Sequence, residues 1–142
     1  MFIDLHVHTR VFDTPRMPGE FGSRFATPRE LREKLAPLGV RAAVALPQVS
    51  PDCSTSVQSV EEILAAVEQE PDFLIPFLNL DPRQLSNSPT ADLSCLIEHY
   101  KARGCRGIGE VSANLPFDDP LMENLLAHAQ ANGMPVLFHV AV

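Results

Sequence analysis

The first ten residues, MFIDLHVHTR, carry two histidines, His6 and His8, one residue apart at the end of an apolar, strand-like run. Side chains alternate faces along a strand, so Asp4, His6 and His8 share one face while Ile3, Leu5 and Val7 share the other, which would meet helices. Two groups of matching chemistry close later apolar runs: Glu110 in CRGIGEV and His139 in PVLFHVAV. Imidazole nitrogen and carboxylate oxygen together suit zinc, manganese or iron better than calcium, and three or four such ligands leave a position open for water. Water held there ionises near neutral pH and becomes a nucleophile. The competing readings are plain ones: two unrelated histidines, a Glu110 carboxylate paired with Arg106, and a His139 satisfied within a core. Placement of His6, His8, Glu110 and His139 at strand ends favours a metal site.

The elements that position these residues follow from the pattern of apolar runs and breakers. β-Branched, apolar runs bounded by Pro, Gly or Asp fall at residues 2–8, 40–47, 73–80, 105–111 and 135–142. Helical segments lie between them. Thr27-Pro28-Arg29-Glu30 is a capping box with proline at the first helical position, and Ser59 to Glu62 repeats the box. ADLSCLIEHYKARG stops at Gly104, and Asp119-Pro120 opens a last helix that Gly133 closes. Strands joined through helices run parallel. The turn after the first strand lacks GxGxxG, the fingerprint of an open dinucleotide-binding sheet, so the expected fold is a partial (β/α)8 TIM barrel. It should comprise about five parallel strands and four helices in a single domain over residues 1–142. Gly107 and Gly109 read as small inward positions of the barrel. Parallel strands end on one rim, where His6, His8, Glu110 and His139 converge.

Other polar groups have weaker claims. Asp4 is expected to bond a ligand histidine or an arginine in the barrel floor, and His99 and His128 to be solvated helix residues. Arg10 and Asp13, and Asn79, Asp81 and Arg83, follow strands on the same rim and either touch substrate or serve their loops. Cys53 reads as a surface thiol. A net charge of −7, with two lysines and no basic run, argues against a nucleic-acid partner. Three cysteines without CxxC spacing fit a reducing cytoplasm. Strand pattern begins at Phe2 without a leader, and no apolar run approaches the ~20 residues of a membrane span.

IDLHVHT, FLNLDPR and GCRGIGEVSANLPFDDPLMENLLAHAQANGMPVLFHVA resemble the amidohydrolase superfamily, in particular its amidohydrolase-related branch. The resemblance implies a metal-dependent barrel hydrolase of amide or ester-like bonds, with decarboxylase and phosphoesterase or nuclease relatives as alternatives. By resemblance His6 and His8 match first-strand ligands, His139 the fifth-strand ligand, and Glu110 a bridging or additional ligand. Zinc is the expected ion, manganese or iron the alternatives, in one or two copies per chain. A sixth-strand histidine and a final-strand aspartate, the usual proton-transfer group, have no counterpart, so no catalytic base is assigned. The expectation is the N-terminal part of a hydrolase acting on a small carbonyl substrate. A half-barrel closed by a second copy through its exposed edges, and a noncatalytic metal-binding fragment, are the other readings.

Overall fold

A computed structural model describes residues 2–14, 25–53 and 56–140. Strands β1 (Phe2–Val7), β2 (Val40–Ala45), β3 (Leu74–Pro76), β4 (Ile108–Val111) and β5 (Val136–Phe138) alternate with helices α1 (Pro28–Leu35), α2 (Val60–Gln69), α3 (Ser94–Ala102) and α4 (Pro120–Ala131). Strands β1, β2 and β3 form one parallel ladder and β4 and β5 another. The two are joined at Leu78, which bridges Ile108 in parallel. There Leu78 N–H donates to Gly107 O at 2.9 Å and Gly109 N–H to Leu78 O at 2.8 Å. Order in space therefore equals order in sequence. A doubly wound sheet reverses direction part-way, whereas an unbroken run of neighbours is the arc of a barrel. The regular strands are shorter than the apolar runs, at the rim end for β1, β3 and β5 and at the opposite end for β4; residues 141–142 of the last run lie outside the described residues.

The helices start where the caps require. Thr27 Oγ1 accepts from Glu30 N–H and the Glu30 carboxylate accepts from Thr27 N–H at 2.9 Å, a complete capping box. Asp119 caps α4 through Leu121 N–H at 2.8 Å, with Pro120 next. The box at Ser59 forms only by half. Ser59 Oγ accepts from Glu62 N–H, but the Glu62 carboxylate turns away to accept from Arg10, Val11 and Phe12. A buried guanidinium competes more strongly for a carboxylate than one main-chain donor does.

Two apolar layers lie between sheet and helices. One packs Val7, Ala43, Ala45, Phe73 and Leu74 against Ile63 and Ala66 of α2, with Leu31 and Leu35 of α1 alongside. The other packs Leu78, Leu80, Ile108 and Val111 against Ile97 of α3 and Met122, Leu125 and Ala129 of α4. Of the β1 residues expected to meet helices only Val7 is covered; Ile3 and Leu5 are exposed. Strand β1 is an edge, and its register against β2 shifts between Asp4 and Val7, which breaks the strict alternation of faces.

Gly107 and Gly109 are required small positions. A Cβ on Gly107 would lie 2.3 Å from the Phe77 ring, and one on Gly109, where φ is +153°, 2.7 Å from Leu137 O. Absence of a side chain lets β3, β4 and β5 close up beside the rim.

Candidate metal centre

The four residues singled out at strand ends do meet. His8 Nε2 lies 3.1 Å from Glu110 Oε2, and His6 Nε2 lies 3.2 Å from the same oxygen. The two Nε2 atoms are 3.1 Å apart. His139 Nδ1 approaches the other carboxylate oxygen, Oε1, at 2.6 Å. Among the described residues His6, His8 and Glu110 form a three-atom cluster able to hold a metal ion, with His139 outside that cluster on the far side of the carboxylate.

Each side chain is aimed by its strand and by one further contact. His8 Nδ1 faces Leu46 O at 3.1 Å. A carbonyl only accepts, so Nδ1 carries a proton, and Nε2 is the nitrogen that His8 turns to the cluster. Among the described residues Asp4 bonds neither an imidazole nor a floor arginine, the two expected partners: its carboxylate accepts from His6 N–H at 3.0 Å. This local turn, two residues long, belongs with the register shift and fixes the main chain from which His6 projects. Glu110 is buried on β4, while the His139 ring beyond the end of β5 is 42% exposed.

Electrostatics favour a charged carboxylate. Burial is the strongest single influence on Glu110 and works against ionisation. Hydrogen bonds from His8 and His139, with the charges of His6 and His8, outweigh it together and hold the acid at about 2. Such a group is an anionic ligand throughout the physiological range.

The donor set fits a small divalent cation. Two imidazole nitrogens and one carboxylate oxygen are borderline-hard donors. Tetrahedral ligand atoms at about 2.0–2.1 Å from zinc lie roughly 3.3 Å from one another, close to the three separations seen here. Glu110 offers Oε2 to His6 and His8 and Oε1 to His139, the disposition of a carboxylate able to serve two sides.

Of the remaining rim residues, Arg10, Asn79, Asp81 and Arg83 have structural partners. Arg10, only 5% exposed, donates to Glu62 Oε2 at 3.4 Å and to Ser56 O at 2.7 Å, with its guanidinium 5.4 Å from the Phe25 ring. Asp13 is exposed. Asp81 holds Arg83 through Nε at 2.7 Å, and Arg83 also pairs with Asp52, so the DPR segment locks two loops together. Burial opposes the Asp81 charge, yet the Arg83 bonds keep its carboxyl below the usual range. Asn79 is buried and donates from Nδ2 to both Pro47 O and Glu110 O. Arg106 does not pair with Glu110; it lines a groove with Arg103, Leu74 and Leu64 beside the start of β4. His99 is exposed against the Tyr100 ring, and His128 meets Ser94 Oγ at 3.0 Å. The side chain of Cys53 lies outside the described residues.

Sequence reasoning missed the Arg10–Glu62 pair and the main-chain role of Asn79. Asn79 was visible as a polar residue between leucines in FLNL, a position that burial would force to find partners.

No protein-family model matches the sequence, and no curated protein matches it significantly. Solved structures do resemble it. A probable 2-pyrone-4,6-dicarboxylic acid hydrolase from Acinetobacter baumannii, crystallised with citric acid bound, superposes with a TM-score of 0.64 at 18% identity, over 97% of this chain and 49% of that one. A protein described as amidohydrolase II superposes with a TM-score of 0.62, also at 18% identity, over 96% and 49%. The fold is a partial TIM barrel. The chain spans about half the length of these amidohydrolase-type neighbours. Among the described residues no helix is long and apolar enough to cross a membrane.

Proposed function

We propose that this chain carries the metal-binding half of an amidohydrolase-type hydrolase that cleaves a small amide or ester-like substrate. The observation that carries the proposal is the near-equilateral arrangement of His6 Nε2, His8 Nε2 and Glu110 Oε2, with sides of 3.1, 3.1 and 3.2 Å. The neighbours' hydrolase descriptions support the reaction class. His6, His8 and Glu110 would hold the ion, zinc by preference and manganese or iron otherwise, and His139 would join as a further ligand on the Oε1 side. The chemistry a divalent ion supplies in such a site is polarisation of a carbonyl and activation of water.

The chain's own residues have definable tasks. His8, held through Nδ1–H by Leu46 O, keeps Nε2 on the cluster and would offer its lone pair to an ion on losing the Nε2 proton, with no change of ring orientation. Glu110 contributes the negative charge. His139 donates from Nδ1 to Glu110 Oε1, which keeps the carboxylate plane from rotating and leaves Oε2 toward the histidine pair. The exposed ring of His6 and the half-open His139 leave one side of the cluster accessible to a small substrate.

The test is direct. Metal-free chain is dialysed against Zn²⁺, and bound metal per chain is measured by elemental analysis on a size-exclusion fraction of known mass. One ion per chain is expected, lost in the His6→Ala/His8→Ala variant with its circular dichroism unchanged. Metal retained by that folded variant overturns the ligand assignment. Zinc-loaded protein inactive on a broad ester and amide panel favours the noncatalytic reading.

A further inference from the structure

We infer that Asn79 is a positioning residue that sets the gap between His8 and Glu110; this rests on the metal-site reading above. The observation is a closed polar circuit across four strands, β1 to β4. His8 Nδ1 meets Leu46 O at 3.1 Å, just beyond the end of β2. The next carbonyl, Pro47 O, accepts from Asn79 Nδ2 at 2.9 Å, and the same Nδ2 donates to Glu110 O on β4 at 2.5 Å. The circuit closes at the ligand atoms, where Glu110 Oε2 lies 3.1 Å from His8 Nε2.

Asn79 is the only side chain in this circuit that is not itself a proposed ligand, and it is 1% exposed. Its orientation is determined by chemistry. Two carbonyl oxygens require donors, so the amide nitrogen must face them, and Oδ1 is left buried without a partner among the described residues. An amide accepting that cost is held for what its nitrogen does. It stands at the point past Pro76 where the regular β2–β3 ladder has ended, and supplies the cross-strand link that main-chain pairing no longer provides. Without it the Leu46–Pro47 segment, which aims His8, is free to shift relative to the Glu110 main chain, which aims the carboxylate.

The position has a chemical consequence for selectivity of substitution. Aspartate has the same shape but no donor, and would set a carboxylate against two carbonyl oxygens. Serine has one donor and can restore one of the two bonds. Ligand-orienting partners of this kind typically change metal affinity ~10- to 100-fold when lost.

The experiment compares wild type with Asn79→Ala, Asn79→Asp and Asn79→Ser as full chains. Co²⁺ is titrated into metal-free protein, read by its visible absorption bands, and Zn²⁺ affinity is measured by competition with a chromophoric chelator. Thermal unfolding of the metal-free proteins reports folding. Expected are a ~10- to 100-fold loss of affinity and altered Co²⁺ bands in Asn79→Ala and Asn79→Asp, with Asn79→Ser intermediate. Wild-type affinity and an unchanged Co²⁺ spectrum in a folded Asn79→Ala overturn the inference alone. A wild-type chain that takes up no Co²⁺ or Zn²⁺ overturns the metal reading as well. If Asn79→Ala does not fold, Asn79→Ser decides: full wild-type affinity and spectrum with one bond restored refute the two-bond circuit.

Discussion

Removing the Glu62 carboxylate should cost about 3 kcal/mol of stability, a large effect for a residue remote from any chemistry. Breaking a buried ion pair by deleting one partner typically costs about 3–5 kcal/mol because a charge is left behind. Here Arg10 and Glu62 are 5% and 7% exposed, with their charged atoms 3.4 Å apart. In Glu62→Ala the guanidinium keeps Ser56 O at 2.7 Å and Ser56 Oγ at 3.1 Å, so it is not orphaned, which places the loss at the lower end. The main-chain N–H groups of Val11 and Phe12 also lose their acceptor, but Phe12 is exposed and water replaces it. Glu62→Gln keeps an oxygen for those donors and loses only the charge, for about 1.5 kcal/mol. The measurement is urea unfolding of the metal-free chain at 25 °C, followed by far-ultraviolet circular dichroism and Tyr100 fluorescence. Combining Arg10→Met with Glu62→Met gives a double-mutant cycle with a coupling of about 2 kcal/mol. A Glu62→Ala loss below about 1 kcal/mol, or simple additivity in the cycle, would refute the reading of Arg10 and Glu62 as a coupled buried ion pair.

Tyr100 is the sole tyrosine in a chain without tryptophan, so its ionisation can be read at 295 nm without interference. Burial and its bond to Glu61 push it up to about 12 from 10.0. Because the folded pKa is raised, its stabilising contribution is complete below pH 10 and is lost as pH rises through about 12; a folded-state midpoint near 10 would contradict the contact. Glu110 behaves in the opposite sense. Held at about 2, it contributes stability above its ordinary 4.5 that fades as pH falls toward 2, so the stability gap between metal-free wild type and Glu110→Gln should narrow over that interval in acid-unfolding curves. Gly107→Ala drives a methyl into the Phe77 ring and should destabilise by about 1–3 kcal/mol. Adding Phe77→Ala should make the Gly107→Ala change nearly neutral in the same urea assay.

The strand-end chemistry was legible because a barrel maps sequence onto space in a simple way: parallel strands in sequential order bring their carboxyl ends to one rim. His6, His8, Glu110 and His139 needed only that rule to be placed together. Helix starts were equally legible wherever the cap is local, as at Thr27 and Asp119. What depended on distant partners was not. Glu62 looked like half of a capping box until Arg10, 52 residues away in sequence, claimed its carboxylate. Asp4 followed the alternation rule in sequence, but a register shift turned its carboxylate onto its own strand. Ile3 and Leu5 carry the pattern of a covered face, and pattern alone does not say whether a helix arrives to cover it.

The two apolar layers described above share no member, and the sheet between them is joined by the Leu78 bridge, the bond from Arg106 N–H to Pro76 O and the Asn79 amide. Proteins open in cooperative units that follow such divisions, so the β1–β2 side and the β4–β5 side are natural candidates to unfold at separate free energies. The proposed ligands sit on opposite sides of that seam: His6 and His8 come from one unit, Glu110 and His139 from the other. An ion gripping both would act as a rivet, adding its binding free energy only to the state in which both units are closed. Hydrogen exchange should then show two protection plateaus in the metal-free chain merging into one when metal is bound.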